Sequence, residues 1–108
     1  MLAKQNRLKR RSDFTRIAKY GTRRYSSLFI LYVYKPKVKQ EEPRFGIVIS
    51  QKTEKKASKR NKLRRWIKSD LYKNIQRFKP YDYMLVVKKQ AVDKTHKQIT
   101  SDLNNLCF

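Results

Sequence analysis

Apolar residues recur along this chain with two periods, and the points where the period changes divide it into elements. From Ser58 to Phe78 the apolar positions Leu63, Trp66, Ile67, Leu71, Ile75 and Phe78 are spaced 3, 1, 4, 4 and 3 apart, the mark of an amphipathic helix. Pro80 then ends it. Phe14, Ile17 and Ala18 predict a shorter first helix, with Ser12 as its N-cap and Gly21 ending it in a left-handed conformation. Ile99, Leu103 and Leu106 place a third helix near the end of the chain. Leu28 to Tyr34, Arg44 to Ser50 and Tyr81 to Val87 are β-branched and aromatic-rich, and read as strands. A short extra strand fits near 23–26. The first two strands flank a polar connection, Lys35 to Pro43, which predicts that they pair antiparallel.

The resulting order is α-β-β-α-β-α. Both alternating sets in the strands, Phe29/Leu31/Val33 and Ile30/Tyr32/Tyr34, are largely apolar, so both faces of the sheet need cover. The fold class expected is an α/β (α+β) sandwich. Its length of 108 residues suits one domain with one modest core. Residues 1–11 lack periodicity and carry Arg7, Lys9, Arg10 and Arg11, so they are expected to form a basic N-terminal arm.

Charge changes this picture most. Lys and Arg number 29 against 8 Asp and Glu, a formal net charge of +21, which calls for a polyanionic partner. The longest apolar run, Leu28 to Tyr34, has seven residues, where a membrane span needs about 20. The N-terminus has no secretory core, and with Cys107 as the only cysteine no internal disulfide forms. A cytoplasmic location is the expectation.

Between Lys52 and Lys68 lie nine Lys/Arg and one acid, Glu54. Lys52, Lys56, Lys59, Arg60, Asn61, Lys62, Arg64, Arg65 and Lys68 are therefore the candidate phosphate contacts. An ordinary solvated helix mixes signs and places anions in its first turn, whereas this one begins Lys59-Arg60-Asn61-Lys62. Arg60 and Arg64 fall at the margin of the apolar stripe, from which long side chains reach a neighbouring groove. The aromatics are the second feature. Phe14, Phe29 and Phe45 fit ordinary core packing, while Tyr32 and Tyr34 share a strand face and suit an open groove where unpaired bases stack. Signals for catalysis are weak: His96 stands alone, Cys107 has no histidine close in sequence, and the carboxylates are scattered. No catalytic residue and no metal ligand is assigned.

The segment Ala57-Ser58-Lys59-Arg60-Asn61-Lys62-Leu63-Arg64-Arg65-Trp66-Ile67 resembles the protein component of bacterial ribonuclease P, whose hallmark is a basic Arg-Asn-Arg segment opening a long helix. Asp13-Phe14 through Gly21 is similar to that family's first helix, and Arg44 through Lys52 to its glycine-containing strand and basic turn. Lys62 replaces the hallmark's second arginine, Gln51 stands where lysine is common, and Glu54 where a small residue is usual. The resemblance implies a subunit that joins the catalytic RNA of ribonuclease P to remove the 5′ leader of precursor tRNA, with the RNA performing a Mg²⁺-dependent hydrolysis. It also implies that Phe14, Ile17, Tyr32 and Tyr34 line a leader-binding cleft, and that the crossover between the strands at Arg44–Ser50 and Tyr81–Val87 is left-handed. No cofactor bound by the protein alone and no protein partner is inferred. The competing expectations are a structural RNA-binding protein, such as a ribosomal protein, and a DNA-binding module.

Overall fold

The computed structural model describes residues 2–108. Three helices, α1 (Arg11–Tyr20), α2 (Ala57–Lys73) and α3 (His96–Cys107), pack on one sheet of four strands, β1 (Thr22–Tyr25), β2 (Phe29–Tyr34), β3 (Arg44–Val48) and β4 (Asp82–Val87). The sheet order is β1-β2-β4-β3. β4 lies antiparallel to β2 and parallel to β3. The hairpin expected between β2 and β3 therefore does not form. β4, the last strand in the chain, inserts between them and takes both sets of hydrogen bonds. β2 spends its other edge on β1, the short strand expected near 23–26.

Alternation along β4 explains why the central strand is buried on both sides. Tyr83, Leu85 and Val87 meet Leu63, Ile67 and Leu71 of α2 and Ile99, Leu103 and Leu106 of α3 in the main core. Met84 packs on the other face with Ile17 of α1 and Leu8. The Arg44 N–H donates to the Tyr81 carbonyl, so the peptide groups of residues 81, 83, 85 and 87 point toward β3. With their side chains on the α2 face, L-chirality puts β3 to the right of an upward β4 seen from α2. Passing from β3 through α2 to β4 thus moves leftward, and this parallel crossover is left-handed against the general rule.

Three local expectations change. The first helix starts at Arg11 with Arg10 as its N-cap, and no side chain caps it; Ser12 lies inside the first turn. Gly21 is extended, at φ −72° and ψ 154°. Its value is close approach, because a Cβ there would sit 2.6 Å from the Ile17 carbonyl oxygen and 3.1 Å from that of Val33. The long helix stops at Lys73, where the Asn74 N–H turns back to the carbonyls of Leu71 and Tyr72, and Ile75–Arg77 form a 3₁₀ turn.

The N-terminal segment is not a free arm. Leu2 and Leu8 are buried, Asn6 donates to the Pro43 carbonyl at 2.9 Å, and the Leu8 N–H donates to the Phe45 carbonyl at 2.9 Å. Arg7 thereby forms a parallel bridge with Phe45, which covers the outer edge of β3. Apolar Leu2 and Leu8, spaced among the cations, are what anchor it.

Candidate nucleic-acid interface

The basic helix is held from beneath and from the side. Leu63, Ile67 and Leu71 are buried against the sheet, as their spacing predicts. At the side, Asp70 is buried. Its carboxylate accepts from Thr100 Oγ1 at 2.8 Å and lies 3.2 Å from His96 Nε2. The His96 ring stacks on Trp66 with centroids 5.0 Å apart and planes within 1°, and the Lys62 ammonium sits 5.1 Å from the centre of the Trp66 ring. His96, isolated in the sequence, is thus a clasp between α3 and α2. Asp70 lies 26 positions from His96 and 30 from Thr100, so no local pattern announces the cluster.

Asn61 and Arg65 are exposed or nearly so along the outer side of α2, with Arg60 and Arg64 half-buried beside them. Lys59 and Lys68 lie on the same helix, and Lys52 and Lys56 are exposed in the approach to it. Arg60 also shapes the backbone, because its Nη1 donates to the carbonyls of Glu54 (2.8 Å) and Lys55 (2.9 Å) and fastens the loop that delivers α2. The Glu54 carboxylate accepts from the Lys56 N–H at 3.1 Å, so the acid at this unusual place helps tie the same loop. Arg64 reaches across to the Ile47 carbonyl of β3 at 3.4 Å.

β3 joins two regions that the sequence keeps apart. Arg7 pairs with Phe45 and Arg64 reaches Ile47 on the same strand, with Lys68 one turn beyond Arg64. Burial, then the positive charge of Arg7 and of Arg64, hold the Lys68 ammonium below the usual lysine pKa. The cations of the N-terminal segment and of α2 therefore form one surface. Lys9 and Arg10 extend it, lining with Lys4, Arg7 and Arg44 a hollow of about 420 Å³ at the start of α1. Arg11 is exposed on the first turn.

A second apolar cluster lies under α1. Phe14, Tyr32 and Tyr34 are half-buried on the α1 side of the sheet, together with Val48 and Val86. Ile17 is fully buried. It packs in the floor with Met84 and Leu8 and is not an exposed lining residue, because its helical position points straight at the sheet. The Arg23 guanidinium lies 5.2 Å from the centre of the Tyr32 ring. Gly46 makes room for the first helix: a Cβ there would stand 2.3 Å from Phe14 Cε1. Val48, Met84 and Val86 belong to this cluster although the sequence did not single them out. Strand alternation puts each on a definite face, but which face meets α1 depends on the sheet order.

A match to the ribonuclease P family model runs over residues 2–108. The chain belongs to the ribonuclease P protein family. Among its relatives, the ribonuclease P protein component of Bacillus velezensis is 32% identical, covering 97% of this chain and 89% of the relative. That of a Cyanothece species is 36% identical, covering 98% and 92%. The ribonuclease P protein of Staphylococcus aureus superimposes with a TM-score of 0.88 at 29% identity, covering 94% of this chain and 91% of that one. The ribonuclease P protein of Thermotoga maritima gives 0.83 at 28%, covering 94% of each. Family membership implies an RNA partner, which suits the +21 charge. Among the described residues no helix is long and apolar enough to cross a membrane.

Proposed function

We propose that this chain serves ribonuclease P by gripping the catalytic RNA along the surface from the N-terminal segment to α2, and by holding the 5′ leader of precursor tRNA in the cleft under α1. Its family role is that of a subunit of the ribonucleoprotein endoribonuclease that removes the leader, with hydrolysis assigned to the RNA. Both RNAs are met in the cytoplasm. The observation that carries the reading is the crowding of Arg7, Arg64 and Lys68. Like charges brought together raise the energy of the free protein, and a phosphate placed among them relieves it while releasing counterions. Arginine's forked donors match phosphate oxygens at such a place.

The half-buried Phe14, Tyr32 and Tyr34 offer faces on which unpaired leader bases stack, and the floor of Ile17 and Met84 keeps water from beneath them. Four carboxylates of this chain are already engaged within the protein. Asp13, Asp70, Asp82 and Asp102 are engaged by Arg16, by His96 and Thr100, by Arg44, and by Ser26. Among the described residues no three His, Cys, Asp or Glu side chains gather. Mg²⁺ is expected in the RNA–protein holoenzyme, and the chain's own work is binding and positioning.

Cleavage of precursor tRNA by the catalytic RNA at low Mg²⁺, with and without this chain, tests the reading. Stimulation is expected. Binding to the RNA without any stimulation would instead make the chain a structural RNA-binding protein.

A further inference from the structure

We propose that Lys62, Trp66 and His96 form a stacked platform at the seam of α2 and α3, on which the catalytic RNA sets one unpaired base; this rests on the catalytic-RNA reading above. The platform lies on the side of the sheet away from α1. His96 is the first residue of α3, and its ring is fixed in three ways. One face lies on Trp66, with centroids 5.0 Å apart and planes within 1°. The Nε2 edge meets the Asp70 carboxylate at 3.2 Å, and because a carboxylate only accepts, Nε2 carries a proton. A capping box sets the backbone beneath, in which the Gln98 N–H donates to Thr95 Oγ1 at 3.2 Å and the Thr95 N–H to Gln98 Oε1 at 2.9 Å. A ring held this firmly is ordered before any ligand arrives.

These contacts do not use up the ring. The His96 side chain keeps 38% of its surface exposed, although Trp66 covers one face and Asp70 one edge, so what remains open is the outer face and the other edge. A ring that served only to join two helices would gain by burying that outer face as well. The Asp70 oxygens are taken by His96 and by Thr100, the latter at 2.8 Å, and the residue is buried. That carboxylate therefore does not face the solvent beside the ring.

The surroundings name the ligand. The Lys62 ammonium lies 5.1 Å from the centre of the Trp66 ring, and Lys62 and Lys97 are both exposed. Lys59 and Lys73 continue the side of α2 that carries Lys62 and Trp66, at helical spacing. A flat ring edged with cations takes an unpaired base by stacking and its phosphate by charge. A base laid on His96 extends the stack of Trp66 and His96 by one ring, and the grip on the RNA then continues from α2 onto α3.

Affinity of the full chain for the catalytic RNA alone, measured over a range of salt concentrations, tests this. His96→Gln keeps an N–H for Asp70 and removes the ring, while His96→Phe keeps a ring and removes the N–H. His96→Gln is expected to lose about tenfold, as one stacked base gives, with an unchanged salt slope because stacking releases no counterion. His96→Phe is expected to stay close to the wild type. Wild-type affinity in His96→Gln overturns the platform, as does a loss in both variants or in His96→Phe alone, since the bond to Asp70 would then be what matters. A loss with a shallower slope overturns it too, because cations of α2 would then have moved. Arg64→Ala, measured alongside, separates the two readings. If it lowers the slope while His96→Gln changes nothing, the platform falls and the RNA grip stands; if neither variant changes binding, both fall.

Discussion

Arg44 and Asp82 stand opposite one another in the parallel β3–β4 ladder and share two hydrogen bonds of 2.8 Å. Asp82 is fully buried, and its hydrogen bonds are the main reason the Arg44 guanidinium pKa is raised. The pair locks the edge strand to the central strand and anchors Gln40. Arg44→Ala strands a buried carboxylate and should cost about 3 kcal/mol, whereas Arg44→Ala combined with Asp82→Asn should recover part of it. Urea unfolding of the two variants measures the difference.

Arg64 and Lys68 are expected to touch phosphate. Replacing either with Ala should reduce the log–log salt dependence of binding to the catalytic RNA by ~0.7–0.9. Arg60→Ala should show a second effect, a loss of about 1–3 kcal/mol in stability, because its guanidinium also holds the Glu54 and Lys55 carbonyls. An unchanged salt slope for Arg64→Ala would exclude a phosphate contact there.

Tyr32→Ala should weaken binding of precursor tRNA by roughly tenfold and leave mature tRNA unaffected. Equal losses for both would mean that Tyr32 serves the core and not the leader.

Gly46→Ala introduces a methyl 2.3 Å from the Phe14 ring, so the ring or α1 must shift. Overpacking of this kind costs about 1–3 kcal/mol. The variant should melt lower and bind leader less well, while its affinity for the catalytic RNA through α2 is kept.

Burial pushes the Cys107 thiol up to about 11 from an ordinary 9.0. The fold therefore favours the protonated form. The stability this contributes is complete below pH 9 and is lost as pH rises toward 11. Unfolding free energy measured from about pH 8 to pH 11 should fall more steeply for the wild type than for Cys107→Ala, and the native thiol should react slowly at about pH 8.

The helices and strands were legible because each is a local pattern: Leu63, Ile67 and Leu71 share a helical face wherever the helix packs, and Tyr32 and Tyr34 share a strand face in any sheet. Family membership was legible for the same reason, since the Arg60-Asn61-Lys62 segment and its neighbours in order are sequence features. Partner strands were not. A polar loop between Tyr34 and Arg44 suggests a hairpin, and only the burial of β4 on both faces shows why it, and not β3, belongs beside β2.

The sequence by itself determined the elements, the cationic character of α2 and the need for a polyanion, because periodicity and charge survive any arrangement of the chain. The tertiary structure decided which cations stand together and which aromatics share the α1 side of the sheet. Arg7 meets Arg64 and Lys68 only because Leu2 and Leu8 bind the N-terminal segment to the edge of β3. Phe14 and Ile17 share a cluster with Tyr32 and Tyr34 only because α1 packs on that face of the sheet. Such contacts join residues far apart in sequence, and the free energy that selects them comes from burying apolar surface shared by whole elements, which no local pattern records.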